Sequence, residues 1–229
     1  MTRLDRFKDR HYGERGVIVA NGPSLNQMDL SFLRRETVIG LNKIYLGFIR
    51  FGFYPRYLVM VNKKVIEQSA SVLPTINCVK FIGERGVDIV PLDSLTHHIK
   101  TKNISQRFST DIRLGIHEGW TVTYAALQIA FFLGFSEIVI IGMDHRFEYV
   151  GQPNEPAVIQ GLDLNHFAPN YFGGGQSWDN PDLEKSEESY RIAKAEYERN
   201  GRRIIDATVN GACQVFEKAD YRYLFKSVQ

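Results

Sequence analysis

Short apolar runs alternate with helix-like segments along this chain, and several of the runs end directly at a short polar side chain. Runs that are apolar throughout and too short for a buried helix are typical of parallel strands, which crossover helices cover on both faces. The sequence therefore predicts an α/β fold with a mainly parallel sheet and helices on both faces. The predicted strands comprise residues 16–20, 37–41, 57–61, 78–82, 137–141 and 203–205.

Two helices between these strands carry recognisable end signals. Thr121 can cap a helix that runs to about Leu133, with Gly134 as its C-terminal stop. This segment is apolar nearly all round, so it should pack deeply against the sheet. A second, amphipathic helix is predicted to begin with Asn180 as its cap and to end at Gly201.

The stretch of about 145–180 has no clear periodicity and is rich in glycine, proline, asparagine and aromatic residues. Loops of this length in a compact domain are usually functional lids or disordered insertions. Two interpretations stay open, a lid that orders over a ligand and a surface insertion with a small core of its own. We expect residues 1–229 to form a single domain that includes this candidate lid.

Composition excludes several classes of protein. With 229 residues, of which 44% are hydrophobic, the chain can bury enough apolar surface to fold. No apolar run approaches the ~20 residues of a membrane-spanning helix, and no secretory signal opens the chain, so we expect a cytoplasmic protein without a transmembrane segment. A net charge of +2 indicates no nucleic-acid partner. Cys78 and Cys213 lack metal-ligand spacing and are expected to be reduced, buried thiols.

Polar side chains follow four of the predicted strands. Asn21, Asn42, Asn62 and Asp144 each stand where an apolar run ends. In an open parallel sheet, ligands bind outside the carboxyl ends of the strands, where all four side chains should meet. Asparagine amides offer both a donor and an acceptor, which suits bases, sugar hydroxyls and phosphate oxygens. The sequence therefore predicts a polar cleft along one edge of the sheet.

The most informative local motif is Asn21-Gly22-Pro23-Ser24-Leu25, directly after the first predicted strand. Glycine lets the backbone approach a ligand closely, and Pro23 with Ser24 can open a helix whose free amides bind an anion. The same residues are also ordinary punctuation between a strand and a helix, and both interpretations stay open. The motif is neither a Walker phosphate loop nor a dinucleotide fingerprint.

Three further side chains are candidates for chemistry. Asp144 could hold a ribose hydroxyl, a metal ion or only its own turn, and Arg146 could contact a phosphate or point into solvent. His166 is the best candidate general base because imidazole titrates near neutral pH, although a structural hydrogen bond is an equally open role. The sequence has no nucleophile elbow, no Ser-His-Asp order and no HExxH-type metal motif, so no metal ligands are predicted.

These motifs resemble the 6-hydroxymethylpterin diphosphokinase MptE-like superfamily. That superfamily is similar in turn to the Maf flagellin-modifying glycosyltransferases and to the CMP-sialic-acid-dependent Cst-type sialyltransferases. The resemblance extends from about Gly16 to Tyr221, and it implies a Rossmann-like fold with a nucleotide or nucleotide-sugar cleft at the strand ends. It rests on Asn21-Gly22-Pro23-Ser24-Leu25, on Asn42, on the segment 119–135 and on Ile141-Gly142-Met143-Asp144.

The resemblance also implies binding residues. In the Cst-type enzymes, the asparagine of the first loop and two later strand-end asparagines contact the nucleotide and the transferred sugar, and Asn21, Asn42 and Asn62 match these positions. Thr121 matches the first residue of a Thr-Ser-Gly motif that holds the sugar carboxylate. The next two residues differ here, and Gly119 stands where the enzymes have an arginine.

The candidate catalytic residues are Arg146, Asp144 and His166. Arg146 falls near a tyrosine that assists departure of the phosphate, and the amides of residues 22–25 would share that task. The catalytic histidine of the Cst-type enzymes falls near residues 174–176, where this chain has none, so His166 is the candidate substitute. The implied mechanism is a direct displacement with inversion, in which His166 takes the proton of the acceptor.

The leading hypothesis is therefore a glycosyltransferase of bacterial surface-glycan synthesis that uses a nucleotide-sugar donor, of the CMP-sugar type, without a cofactor. Its partners would be that donor and a glycan or small-molecule acceptor, and homo-oligomerisation is left open. One alternative is a diphosphokinase of the 6-hydroxymethylpterin type, in which Asp144 and neighbouring carboxylates hold magnesium and the phosphates of ATP. The other is a catalytically inactive nucleotide-binding module.

Overall fold

A computed structural model describes residues 3–102 and 107–225 of the chain. Its strands, in chain order, are β1 Arg15–Val19, β2 Thr37–Leu41, β3 Tyr57–Met60, β4 Val79–Gly83, β5 Thr96–Ile99, β6 Thr101–Lys102, β7 Ile116–His117, β8 Glu137–Ile141, β9 Pro156–Val158, β10 Ser177–Asp179, β11 Arg203–Asp206 and β12 Glu217–Lys218. Its α-helices are α1 Phe48–Phe51, α2 Lys63–Ser69, α3 Val122–Leu133, α4 Leu183–Arg199 and α5 Tyr221–Leu224.

Eight strands form one sheet in the order β12-β11-β8-β1-β2-β3-β4-β5, and every neighbouring pair is parallel. This confirms the predicted α/β class. From β1 the chain adds β2 to β5 on one side, and it later adds β8, β11 and β12 on the other. The strand order therefore reverses between β1 and β8, which is where ligands bind in folds of this kind.

The sheet is buried on both faces, because successive side chains of a strand point to opposite sides. In β1, Ile18 packs into the hydrophobic cluster that contains α3 and residues of α4. Val17 and Val19 pack into the opposite cluster, which includes residues of α2 and of the 3₁₀ helix Pro23–Gln27. This alternation explains why the strand is apolar throughout.

All six predicted strands are present in the eight-stranded sheet, and the two further strands of that sheet are not predicted by the sequence. Strand β5 contains His97 and His98 rather than an apolar run, and β12 has only two residues. Both lie at the edges of the sheet: β12 is short and exposed, whereas β5 is largely buried but carries polar side chains, so neither gives an apolar run. The apolar periodicity of the sequence therefore predicts the centre of the sheet but not its edges.

The two predicted helices differ in how well their starts match the structure. Thr121 caps α3 by accepting a hydrogen bond from the Thr123 amide, and Gly134 ends the helix at φ 96°, as predicted. Helix α4 instead begins after Asp182, whose side chain accepts from the amide of Lys185. Asn180, the predicted cap, is buried and does not cap the helix. Its side-chain amide donates instead to the backbone carbonyls of Val150 and Gln152.

The segment 145–180 packs against the sheet. Its aromatic side chains Phe167, Tyr171, Phe172 and Trp178 are buried and belong to the same hydrophobic cluster as Val17 and Val19. The segment 145–180 therefore has no separate core, and its aromatic side chains belong to the hydrophobic core on this face of the sheet. Within the described residues, no helix combines the length and apolar character that a bilayer span requires.

Candidate functional site

A cavity of about 550 Å³ lies at the carboxyl ends of β1, β2, β3 and β8. Four predicted site residues that follow these strands, Asn21, Asn42, Asn62 and Asp144, all line it. Asn21 and Asp144 lie on either side of the point where the strand order reverses. The volume is within the range of small-molecule and cofactor sites. The structure therefore brings the predicted strand-end residues together on one cavity.

Three asparagines of the cavity, Asn21, Asn180 and Asn42, present buried amide oxygens that have no hydrogen-bond donor among the described residues. Asn21 Nδ2 donates to the carbonyl of Leu41 at 3.1 Å, and Oδ1 of Asn21 is buried without a partner. Asn180 Nδ2 donates to the carbonyls of Val150 and Gln152, and its Oδ1 is also buried and unpaired. A carbonyl can only accept, so these contacts fix which amide atom is oxygen. Each oxygen can therefore accept a hydrogen bond from a bound ligand.

The other two strand-end asparagines differ from each other. Asn42 has a left-handed backbone, with φ 47°, and its Oδ1 is buried without a partner among the described residues. Asn62 caps α2, because its Oδ1 accepts from the amide of Val65 at 3.3 Å. Asn42 therefore resembles Asn21 in offering a free acceptor, whereas the oxygen of Asn62 already has a structural partner.

Asp144 holds the loop that follows β1. Its Oδ2 accepts from the Ser24 amide at 2.9 Å, and its Oδ1 accepts from the Ser24 hydroxyl at 2.5 Å. Burial raises the pKa of Asp144 above its ordinary value, although the hydrogen bonds from Ser24 oppose this shift. Gly22 permits the contact, because a Cβ there would lie 1.9 Å from Oδ1 of Asp144. Asp144 thus connects β8 to the first loop and still lines the cavity.

The prediction that this loop presents free amides to a phosphate is wrong. The amide of Gly22 donates to Gly142 at 2.8 Å, that of Ser24 donates to Asp144, and that of Leu25 donates to Gly22 at 3.2 Å. Pro23 has no amide hydrogen. Pro23 and Ser24 also lie outside the cavity lining. A carboxylate of the protein itself therefore occupies the place proposed for an anion.

Arg146 does not take the place expected of it. The side chain is exposed and is absent from the residues that line the cavity. Of the lysines and arginines described, Lys64 alone lines the cavity, and it pairs with Asp179 at 2.5 Å. The acidic side chains of the lining are Glu118, Asp144, Asp179 and Asp182. The wall is therefore rich in carboxylates.

His166 lies on the cavity wall, and a carboxylate orients its ring. Nδ1 is 2.8 Å from Oδ2 of Asp163, whose side chain is fully buried. Burial raises the pKa of Asp163, but hydrogen bonds from His166 and from the amides of Asn165 and Phe172 outweigh this effect and lower it. An ionised Asp163 favours the tautomer with hydrogen on Nδ1, which leaves Nε2 as an acceptor. This is the arrangement that a general base requires.

The ring of His166 is also fixed by stacking. Tyr171 lies parallel to it, with 3.9 Å between ring centroids. Lys43 holds this part of the segment, since its Nζ donates to the carbonyl of Tyr171 and to Oε1 of Gln176, each at 2.7 Å. Burial lowers the pKa of Lys43 from 10.5 to about 8. Sequence reasoning missed Asp163 and Lys43, although Asp163 stands three residues before His166.

Thr121 lines the cavity, as predicted, but its hydroxyl already has two partners. It accepts from the amide of Thr123 and lies 3.2 Å from the hydroxyl of Tyr190. The preceding Trp120 has a left-handed backbone, with φ 58°, and lines the cavity while 42% exposed. An exposed indole at a cavity wall offers a flat apolar surface for a planar ligand group.

Comparisons with known proteins agree with this fold. A family model described as 6-hydroxymethylpterin diphosphokinase MptE-like matches residues 1–150. No curated protein matches the chain. Among solved structures, the chain is similar to a Maf glycosyltransferase from Magnetospirillum magneticum AMB-1, with a TM-score of 0.59 and 15% sequence identity. That similarity covers 97% of this chain but only 38% of the other, and it concerns the fold.

Proposed function

This chain belongs to the MptE-like family, and on that premise we propose that it is a nucleotide-sugar-dependent glycosyltransferase. The observation that carries the proposal is the His166–Asp163 pair at the wall of the switch-point cavity. A histidine oriented by a carboxylate and open at Nε2 is equipped to take a proton from an acceptor hydroxyl. The similarity in fold to a Maf glycosyltransferase supports the same reaction class.

The free amide oxygens of Asn21, Asn42 and Asn180 favour a ligand that is rich in donors. Sugar hydroxyls and the exocyclic amino group of a base such as cytosine supply such donors, whereas a fully ionised phosphate supplies none. A buried acceptor left unpaired costs about 1–3 kcal/mol, and a bound sugar or base would remove this penalty. Trp120 would stack on the base. Cytosine meets this requirement, and we propose a donor of the CMP-sugar class.

The departing phosphate needs a positive partner that the loop after β1 does not supply. Its amides are already bonded, and Arg146 is exposed away from the cavity. Lys64 is the candidate because it lines the cavity, although it pairs with Asp179. Carboxylates along the wall would weaken the binding of a bare phosphate and would strengthen that of a phosphate that arrives with a divalent cation.

This acidic wall specifically favours a second candidate function, a magnesium- and ATP-dependent diphosphokinase. Magnesium is usually bound by one or two carboxylates together with substrate phosphates, and Asp144 and Asp179 offer suitable oxygens. The ion would neutralise charge on the phosphates. The described carboxylates of the cavity form no group of three that could hold a cation unaided.

Nucleotide binding measured by calorimetry distinguishes these functions. We expect CMP to bind without magnesium and the Asn21→Ala variant to bind it at least about tenfold more weakly, because a hydrogen bond to the ligand is lost. Asn26→Ala is the matched control, since Asn26 Nδ2 also donates to a carbonyl, that of Phe167, outside the cavity lining. Binding of ATP only with magnesium would favour the kinase. Unchanged affinity in Asn21→Ala would contradict the proposed cleft.

The role of His166 is tested by the rate at which the bound donor is turned over. His166→Ala should lower kcat by about 10²–10⁴-fold and leave the affinity for the donor nearly unchanged. Asp163→Asn should lower kcat less, because the ring remains while its orientation is lost. Loss of donor binding with unchanged kcat would show instead that His166 only shapes the cavity.

A further inference from the structure

Three side chains from separate parts of the chain converge beside the cavity. His145 follows β8, Glu187 lies on α4, and Cys213 lies in the loop between β11 and β12. One potential ligand atom from each lies within 4.8 Å of the other two, and Nε2 of His145 is 3.2 Å from Oε1 of Glu187. We propose that His145, Glu187 and Cys213 form a binding site for a zinc-class transition-metal ion.

The donor set indicates which ion would bind. A thiolate, an imidazole and a carboxylate suit zinc, whereas magnesium and calcium prefer oxygen ligands alone. With metal–ligand bonds of about 2.0–2.3 Å, a tetrahedral ion places its ligand atoms roughly 3.3–3.7 Å apart. The 3.2 Å between His145 and Glu187 is close to this spacing. The sulfur of Cys213 lies within 4.8 Å of both other ligand atoms, so it would have to move only a short distance to coordinate the same ion. The three side chains already lie near coordination geometry.

Local contacts hold the three side chains in place. His145 has a left-handed backbone, with φ 55°, which is uncommon outside glycine and turns its ring toward α4. The amide of Ala212 donates to the carbonyl of Asp144 at 2.9 Å and joins the loop of Cys213 to the residue before His145. Glu187 is braced through its second oxygen, which accepts from Arg191 at 2.7 Å.

Charge also favours a divalent ion. The side chain of His145 is only 7% exposed and Cys213 is fully buried, so an uncompensated charge there would be costly. One thiolate and one carboxylate neutralise a divalent cation, and the imidazole binds as a neutral ligand. The thiol proton of Cys213 leaves to solvent as the metal–sulfur bond forms, which balances the step.

The site would adjoin the cavity through His145, which is among the lining residues, whereas Glu187 and Cys213 lie behind it. Three protein ligands leave the fourth position of a tetrahedral ion open, which is the pattern of zinc sites that bind water or a substrate oxygen. An ion there would add positive charge to a wall rich in carboxylates. This inference does not depend on the proposed glycosyltransferase activity, since metal binding is measured without nucleotide.

Titration of the full-length protein with Co²⁺ tests the site, because a thiolate ligand gives an intense near-ultraviolet charge-transfer band. We expect a single equivalent to bind with this band, Zn²⁺ to displace it, and Cys213→Ser to abolish it. Cys78→Ser is the matched control, since Cys78 is the other buried cysteine and lies directly before β4. It should retain the band.

Glu187→Gln provides a second variant in case Cys213→Ser does not fold, because the side chain of Glu187 is 30% exposed. It should weaken Co²⁺ binding at least about tenfold while its circular dichroism matches that of the parent. Absence of the charge-transfer band in the parent, its persistence in Cys213→Ser, or unchanged affinity in Glu187→Gln would each overturn the proposal.

Discussion

Lys43 is a buried lysine whose charge should make the stability of this protein depend on pH. It is 3% exposed and lies between the rings of the 145–180 segment, 4.6 Å from the centroid of Phe172. Burial lowers its pKa from 10.5 to about 8, and the charge of Asp163 opposes the shift. We predict that Lys43→Met removes a rise in stability that the parent shows above neutral pH.

The magnitude follows from linkage. Between about pH 8 and 10.5 the unfolded chain holds the Lys43 proton more strongly than the folded chain, so the free energy of unfolding rises with pH. At 1.36 kcal/mol per unit, the full shift corresponds to about 3 kcal/mol. About 1.3 kcal/mol of this should appear between pH 7 and 9. Higher pH is less informative, because burial raises the pKa of Tyr124 and Tyr190 and their ionisation favours unfolding.

Urea unfolding at pH 7 and pH 9 measures this effect as a double difference. The hydrogen bonds that Lys43→Met loses to Tyr171 and Gln176 affect both pH values alike and cancel. Lys8→Met, a change at an exposed lysine, controls for general effects of removing a lysine. If the difference in unfolding free energy between the parent and Lys43→Met is the same at both pH values, the burial argument is refuted.

Two further predictions concern stability. Gly22→Ala should destabilise the fold by about 2 kcal/mol, because the new Cβ would lie 1.9 Å from Oδ1 of Asp144 and 2.7 Å from the carbonyl of Gly142. Gly161→Ala, where nothing lies within 4 Å of a Cβ, should change the urea midpoint little, and equal effects would contradict the steric argument. Asp163 has a pKa below its ordinary value of 3.8, so the stability it contributes is complete above about pH 4 and is lost as pH falls through its folded pKa. Acid titration followed by circular dichroism should therefore show a weaker pH dependence in Asp163→Asn, and an unchanged acid transition would exclude this contribution.

The centre of the sheet could be predicted from the sequence because burial on both faces leaves a direct trace. Strands such as β2 and β8 are apolar at nearly every position, and the structure buries them almost completely. The start of α4 could not be predicted reliably, since both Asn180 and Asp182 are good caps and only tertiary contacts decide between them. Asn180 instead donates hydrogen bonds to the backbone carbonyls of Val150 and Gln152.

For the candidate site, the positions of the residues could be predicted from the sequence, whereas their contacts could not. A residue that follows a buried strand lies at the sheet edge, which is why Asn21 and Asp144 could be placed on one cavity. What each polar group contacts depends on residues far away in sequence, and the carboxylate of Asp144 reaches the Ser24 amide across 120 positions. Together with the backbone bonds of Gly22 and Leu25, this contact leaves the loop without free amides for a phosphate. The edge predicted as an anion site instead offers acceptors, and a ligand must bring hydroxyls, amino groups or a cation to satisfy them.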